Sequence, residues 1–405
     1  MPPPAQSLSG LTVLDLTWGI AGPYCSKVLA GLGAEVIKVE RPSGGDPSRS
    51  AGPFVSDQPS LETGVLHLDL NQGKKSLTLN LKSAVGRDIV RSLAATADIF
   101  LESFHPGVVQ RLGLDFDAVR RANRRITYLS LSNYGQDGPY RDYKTSDMLL
   151  FGGAGEMNST GLPERTPIRL GNYTQQYQSG NMAAAAALIA YYGTRDGSDG
   201  QYIDMSLYET TASSVDRRMQ YMVSYAYTGR PGQRRDSVYS HYPTGNYPCK
   251  DGFYDIFGGP QFFTRILDMM GMPEVAKDPR FSTPKDLVDV VRKDEFDSIF
   301  LPWVTQKTMR ELLKLSQQYS VYAAPIFTPK DVYEDEHMKA RGFFLEVDHP
   351  VVGKALLPGE PAKMSATPYQ VHPAPTLGRH NEEILVGRLG YSRHDTVALR
   401  QAGVI

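Results

Sequence analysis

From Leu11 onward, short β-rich runs alternate with helical stretches, and this alternation constrains the fold more than any other feature. LTVLDL is followed by a helical run over residues 24–32 and then by AEVIKVE, which together read as one βαβ unit. The pattern repeats through KKSLTLNL, a helix over 83–95, DIFLES, two short helices near Val108 and Asp117, and ITYLSLSNYG. Parallel strands need crossover helices, so these elements predict an open α/β layer up to about residue 200. SGNMAAAAALIAYYG predicts a buried helix whose small side chains permit close packing, GQYIDMSL predicts a strand, and one long helix is expected over 208–225.

After Gly229 the composition shifts to Tyr, Pro and Gly. YPTGNYPCKDGFYDIF predicts a β-ribbon turning at Lys250-Asp251-Gly252. Helices are expected over 262–270, 294–304, 308–319 and 329–341, with YAAPIFT as a strand and GFFLEV and KALLPG as added edge strands. The expected division is a large α/β domain (1–200), a linker helix (201–228), a small domain (229–326) and a C-terminal segment returning to the large domain (327–405).

Several function classes are disfavoured. Lys plus Arg number 43 against 44 for Asp plus Glu, so no net field draws the chain to nucleic acid or an anionic membrane. The two cysteines, Cys25 and Cys249, make neither a disulfide framework nor a thiolate zinc site, which fits a reducing cytoplasm. The longest apolar run, 182–192, is short of the ~20 residues of a membrane span, and MPPPAQSLSG lacks the basic and apolar regions of a signal peptide. A cytoplasmic location is therefore expected. There is no Walker loop, GxSxG, HExxH or CxxC, and Gly31-Leu32-Gly33-Ala34 lacks the third glycine of a dinucleotide fingerprint. The eight histidines are scattered, so neither a metal nor a permanently bound cofactor is expected.

What remains is a set of cationic and glycine positions at strand ends. Lys38-Val39-Glu40-Arg41-Pro42 closes the second strand and Gly44-Gly45-Asp46 follows it, where ligands of open α/β sheets bind. Arg41 there suits a bidentate phosphate contact or a salt bridge to Glu40 or Asp46. Lys74, Lys75 and Lys144 invite the same two readings.

Taken in order, TWGIAGPYCSKVLAGLGAEVIKVERPSGGDPSR, LNQGKKSLTLNLK, ESFHPGVVQRLGL, GQDGPY, DGSDGQYIDMSL and VYAAPIFTPKDVYEDEHMKARGFF resemble the family III CoA-transferases of the formyl-CoA and carnitine-CoA type. The resemblance runs from about Leu8 to the closing LRQAGVI. It implies a coenzyme A thioester as substrate, an α/β large domain, a small domain toward the C-terminal half, and two ring-like chains threaded through one another. It also places Arg41, Leu70, Lys74, Ser103, Phe104, Arg111 and Lys144 near CoA. The usual family pattern at ESFHPG is ENFRPG, so Ser103 and His105 are departures.

A larger departure is at the catalytic position. The family's nucleophile is an Asp carboxylate that attacks the thioester and forms a mixed anhydride. Aligning RLGNYTQQYQSGNMAAAA on Arg169, Gly171 and Gly180 puts Gln176 there, and no Asp or Glu occurs from 165 to 195. Asp147 matches an acidic position beside the family's active site and is expected to assist rather than attack, and Asp204 to stabilise structure. The favoured expectation is a subunit without its own nucleophile. A homologous Asp-bearing subunit would complete a heteromer moving CoA from succinyl-CoA to an acid such as benzylsuccinate, and the chain alone would be inactive. The alternatives are a transferase using another carboxylate, an acyl-CoA racemase, and a non-catalytic acyl-CoA-binding protein. The racemase needs a His before Asp147, where Ser146 stands. Gly258-Gly259-Pro260-Gln261 reads as a site-covering glycine loop or as a helix N-terminus with Pro in its first turn. Trp18 is expected near the thiol arm of CoA, narrowing the pocket or filling a vacated catalytic cavity. The aromatics between Tyr221 and Phe263 are expected in the core of a small β domain rather than in a stacking platform.

Overall fold

The computed structural model describes residues 6–213, 217–232, 241–359 and 362–405. They divide into two compact units: 1–160 with 167–232 and 342–405, and 161–166 with 233–341.

The larger unit is built on six parallel strands: β1 (Thr12–Leu16), β2 (Glu35–Glu40), β3 (Lys75–Thr78), β4 (Ile99–Glu102), β5 (Thr127–Ser132) and β6 (Tyr202–Ser206). Their order is β3-β2-β1-β4-β5-β6. The chain builds outward from β1 in one direction and then from β4 in the other, so the β1/β4 boundary is the topological switch point. The helices of this unit are α1 (Ala21–Gly31), α2 (Val65–Leu70), α3 (Ala84–Ala94), α4 (Val108–Leu112), α5 (Phe116–Ala122), α6 (Asp147–Gly153), α7 (Thr174–Gly193), α8 (Leu207–Ala212) and α9 (Arg217–Thr228). The period-2 geometry of the strands sorts their side chains between two cores. Leu14, Leu16, Ile37 and Val39 pack with Ile89, Val90 and Leu93 of α3. Val13 and Val36 face the other way, with Cys25 and Leu29 of α1 and Ala183, Ala184 and Ala187 of α7. Burial on both faces is why these strands read as continuous apolar runs.

Helix ends follow side-chain chemistry. Ser83 caps α3 by accepting from the Gly86 N–H at 2.9 Å, and Asp115 caps α5 from Ala118 at 3.1 Å. The expected helix over 208–225 is instead α8 and α9, because α8 ends at Ala212; residues 214–216 lie outside the described ones. The Ala-rich helix α7 is buried on one face only: Ile189 and Tyr192 are 74% and 71% exposed on the other.

The smaller unit holds β7 (Gly245–Cys249), β8 (Gly252–Phe257) and β9 (Tyr322–Pro325) as an antiparallel sheet, the first two joined at Lys250-Asp251 as expected. With it are α10 (Pro260–Met270), α11 (Val290–Val304), α12 (Met309–Gln318), α13 (Pro329–Glu334) and α14 (Glu336–Ala340). The expected single helix over 329–341 is two, because Asp335 is extended and caps the second. Gly258 and Gly259 lead into α10 with Pro260 at its first position. Tyr242, Tyr247, Tyr254, Phe262 and Phe263 are core as expected, whereas Tyr225, Tyr227, Phe253 and Phe257 are exposed, so the expectation holds for only part of that aromatic stretch. Returning to the larger unit, β10 (Phe344–His349) and β11 (Gly353–Pro358) pair only with each other, not as sheet edges. The chain ends in α15 (Arg393–Gln401), beyond which Val404 and Ile405 enter the α3-side core.

A buried charge network fixes the carboxyl ends of β1 to β3. Asp15 accepts from Thr17 N–H at 2.9 Å and from the Ser26 hydroxyl at 2.5 Å, with Lys74 Nζ at 3.3 Å and Lys38 Nζ at 3.9 Å. Lys38 also pairs with Asp46 at 2.9 Å. Glu40 takes both Nε and Nη2 of Arg49, at 2.7 and 2.9 Å. Burial alone would raise the Glu40 carboxyl, but the Arg49 guanidinium holds it down at about 2. Burial and the Arg49 charge hold the His67 imidazole down at about 3.

Both groups bind protons more weakly folded than unfolded, so both contribute stability that is present above their unfolded values and lost as pH falls toward the folded ones. The urea midpoint is expected to fall from about pH 6.5 as unfolded His67 charges, and more steeply below about pH 4.5 as unfolded Glu40 protonates. His67→Asn should reduce the upper part of that decline, to which His349 and His380, also lowered by burial, contribute the remainder, and keep the lower part. Glu40→Gln should lower stability at pH 7 by about 3–5 kcal/mol, since it leaves the Arg49 charge buried and half-paired. Urea unfolding from pH 3 to 8 checks this.

Candidate active site

Two cavities meet at the switch point. The chain leaving β1 brings Trp18 there and the chain leaving β4 brings Ser103 and Phe104, and the Trp18 N–H donates to Ser103 Oγ at 2.9 Å across the gap. The Trp18 and Phe104 rings meet edge to face with centroids 5.4 Å apart. These two side chains border both cavities and form the wall between them.

On one side lies a cleft of about 550 Å³ along the ends of β2 and β3, bordered by Arg41, Pro42, Leu79, Leu81, Val108 and Leu112 with the shared rings. That volume is in the range of cofactor and nucleotide sites. Arg41 forms no salt bridge to Glu40 or Asp46, which Arg49 and Lys38 occupy. It is exposed, its Nε donates to the Gly45 carbonyl at 3.2 Å, and its guanidinium stacks 4.8 Å from the Trp18 ring.

On the other side is a cavity of about 190 Å³, bordered by Ala21 and Gly22 of α1, Ser132 and Asn133 at the end of β5, Arg141 and Gln176. Gly180 explains why Gln176 is there. A Cβ at 180 would stand 2.6 Å from the Ala21 carbonyl, so only glycine lets α7 approach α1 this closely. Gln176, one turn earlier, then faces the start of α1. Among the described residues no Asp or Glu borders this cavity.

Asp147 opens α6 behind Gln176. Its side chain is 7% exposed, and Arg169 Nη1 lies 3.4 Å from Oδ2. Burial pushes its carboxyl up, opposed by the charge of Arg169 and the Gln176 side chain. Asp147 thus touches Gln176 without bordering the cavity. Asp204 accepts from the Gln136 N–H at 2.9 Å, a structural contact.

Arg41, Ser103, Phe104 and Gln176 therefore converge, with Trp18. Leu70 and Lys74 do not join them. Leu70 is fully buried, and the Lys74 ammonium is held by Asp15, the Pro23 carbonyl at 2.8 Å and Asn71 Oδ1 at 2.9 Å. Burial lowers Lys74 to about 8. Lys75 pairs with Glu35 and Glu383. Arg111 and Lys144 are exposed and border neither cavity. Among the described residues no group of three or more potential ligands could hold a metal ion, and no helix is long and apolar enough to cross a membrane.

Arg141, Ser132 and Glu102 were not singled out from sequence. Arg141 directly follows the GQDGPY run, and Glu102 opens the ESFHPG segment. Glu102 accepts from the Phe104 N–H at 2.8 Å and from the Ser130 hydroxyl, and borders a third cavity of about 320 Å³. Burial raises its carboxyl to about 7.

The comparisons with known proteins bear on what this site does. A family model described as CoA-transferase family III matches residues 8–381. The chain belongs to that family. It is 32% identical to the succinyl-CoA–D-citramalate CoA-transferase of Chloroflexus aurantiacus, over 99% of both chains. It is 30% identical to the beta subunit of the succinyl-CoA–L-malate CoA-transferase of the same organism, over 98% of both. Among solved structures, a CaiB/BaiF family protein from Brucella suis superimposes with a TM-score of 0.84 at 29% identity, covering 94% of this chain and 99% of that one. The sequence resemblance is thereby borne out in family and fold.

Glu102 gives a measurable signature. A carboxyl raised on folding contributes stability that is fully present below its unfolded value and lost as pH rises through the folded one. Glu102→Gln is therefore expected to match the parent chain below about pH 4.5 and to exceed it above pH 7, by about 1–3 kcal/mol. Paired urea titrations from pH 4 to 9 read the difference.

Proposed function

We propose that this chain is the subunit without a nucleophile in a heteromeric CoA-transferase, which moves CoA from succinyl-CoA to a carboxylic acid, with benzylsuccinate the first acceptor to test. The observation that carries this reading is the Gln176 cavity, which has a carboxamide where the resemblance puts the family's nucleophile and, among the described residues, no carboxylate on its walls. An amide nitrogen and carbonyl cannot supply the ionised oxygen that attacks a thioester carbonyl and expels the CoA thiolate. In the heteromer, the homologous subunit's Asp makes that attack and releases CoA thiolate. The thiolate returns to the aspartyl carbonyl of the anhydride and frees the donor acid, the acceptor carboxylate then displaces the thiolate from the aspartyl thioester, and the thiolate finally takes the acceptor's acyl group from that second anhydride and restores the Asp.

Arg41, Phe104 and Trp18 in the large cleft are the groups we assign to CoA: two rings for the adenine or the pantetheine arm, and one guanidinium for a phosphate. Ser103, through the Trp18 N–H, sets the wall between CoA and acyl group. Leu70 and Lys74 are assigned to shaping the β3 side of that site from beneath, and Arg111 and Lys144 to its exposed edge.

A paired assembly is supported by the apolar side chains left exposed on and beside α7: Ile168, Leu170, Met182, Ile189 and Tyr192. We assign them to a homologous chain interlocked with this one. The beta-subunit name of one relative supports a division of labour between homologous chains. Asp147 supports a second reading, a transferase using that carboxylate, only as far as its contact with Gln176 goes.

Purified alone, the chain is expected to show no CoA transfer between succinyl-CoA and any acid. Co-expressed with an Asp-bearing homologue it should be active, and replacing that Asp with Ala should abolish activity at least 10³-fold, a loss of about 4 kcal/mol or more. Gln176→Ala in this chain should leave more than about a tenth of it, within ~1.4 kcal/mol. Robust activity of the chain alone, lost on Asp147→Asn, overturns the heteromer.

A further inference from the structure

The Gln176 cavity holds two polar groups that nothing in the fold uses. Ser132, at the last position of β5, is 6% exposed, and its Oγ is buried without a hydrogen-bond partner. Arg141 Nε is likewise buried and unpartnered. Buried polar atoms in native proteins are nearly always satisfied, so two orphans on one cavity wall point to a ligand that satisfies them. The ion pair of Arg141 with its neighbour Asp142 is 3.9 Å long and lies at the surface, so it leaves the guanidinium available.

Arg141 is also held in place. Its loop is pinned by a cluster of tyrosines: Tyr140 stacks on Tyr143 at 5.1 Å, and both pack edge-on against Tyr134, at 5.8 and 6.5 Å. Gly107, at φ +84°, clears space beneath. A Cβ there would sit 3.5 Å from Arg141 Nη2 and 3.4 Å from Arg111 Nη1, so two guanidinia converge over one glycine. Convergence of like charges favours an anion. The acids around the neighbouring cavity do not neutralise Arg141: Glu102 is bonded to Ser130 and Phe104, Asp115 caps α5, and no ion pair joins Asp117 to it.

We infer that Arg141 and Ser132 bind the distal carboxylate of a dicarboxylic acyl group or acceptor seated in the Gln176 cavity, and so select dicarboxylic over monocarboxylic acids. The inference rests on the proposed CoA transfer only in supposing that this cavity takes the acyl part. At about 190 Å³ it is below the ~300–1,000 Å³ of sites that enclose whole cofactors, and it suits a short-chain acid. A guanidinium takes a carboxylate bidentately, and a site built around such a bond penalises the analogue that lacks it, because its own polar groups stay unpaired. Charge-assisted bonds of this kind correspond to roughly 10–100-fold in affinity.

Trp18 borders the cavity and Trp303, the second tryptophan, lies in the other unit, so Trp303→Phe leaves a single reporter. The full chain carrying that change is titrated with succinate, glutarate, butyrate and, separately, CoA, following Trp18 emission. Succinate or glutarate should bind about 10–100-fold more tightly than butyrate. Arg141→Gln should erase that preference while leaving butyrate and CoA unchanged, Arg141→Lys should keep part of it, and Ser132→Ala should reduce it by less than Arg141→Gln. A preference that survives Arg141→Gln, equal or absent binding of the acids, or a loss of CoA affinity in Arg141→Gln each overturns the inference, the last by making the guanidinium a phosphate contact. Failure of CoA alone to bind, with the acid preference intact, instead removes the CoA-transfer reading and leaves this one standing.

Discussion

Everything at the carboxyl ends of the first three strands is arranged around charges that have no access to water. Two lysines, three carboxylates and one arginine are buried together there, and each is stable only because the others are present. Removing an ion from such a cluster leaves its partner uncompensated in a poorly polarisable surrounding. The loop from Pro42 to Ser50 follows Lys38 and Glu40 because Asp46 and Arg49 must reach them. That path is what leaves Arg41 on the open side, over an indole and facing the cleft.

The same cluster ties in the C-terminal segment. Arg49 Nη2 donates to the Pro375 carbonyl at 3.0 Å, and Ser76, which bonds Glu40, also takes the Gly378 N–H at 2.9 Å. Asn381 bonds Thr78 through both backbone and side chain. The chain thus completes the sheet at β6, builds a second unit over 233–341, and returns to finish hydrogen bonds at β3, more than 300 residues away in sequence. This explains how one sheet tolerates so long an excursion: the return is specified by polar partners as well as by apolar burial.

The sheet was legible because strands covered on both faces are apolar throughout and helices between them carry a single apolar stripe. The break at Asp335 was not, since caps compete locally with helical periodicity and one extended residue suffices to end a helix. The site was half legible. Gln176 and Phe104 lie in motifs whose order along the chain is distinctive. Lys74 carried the right charge at a suitable place, yet its ammonium points inward to Asp15, and direction is a property of the packed state. Arg141 was passed over for Lys144, three residues on, because nothing in GPYRDYK says which cation the tyrosines will hold against the cavity.

Gly180 has one more consequence. Because it seats α7 directly on the backbone of α1, the depth of residue 176 is set by a contact between main chains and not by the side chain at 176 itself. The helix therefore works as a fixed gauge that presents whatever residue occupies that position at one place. Exchanging a carboxylate for an amide there changes what the molecule can do without changing what it is, so two chains built on the same gauge can diverge in chemistry while remaining interchangeable as building parts.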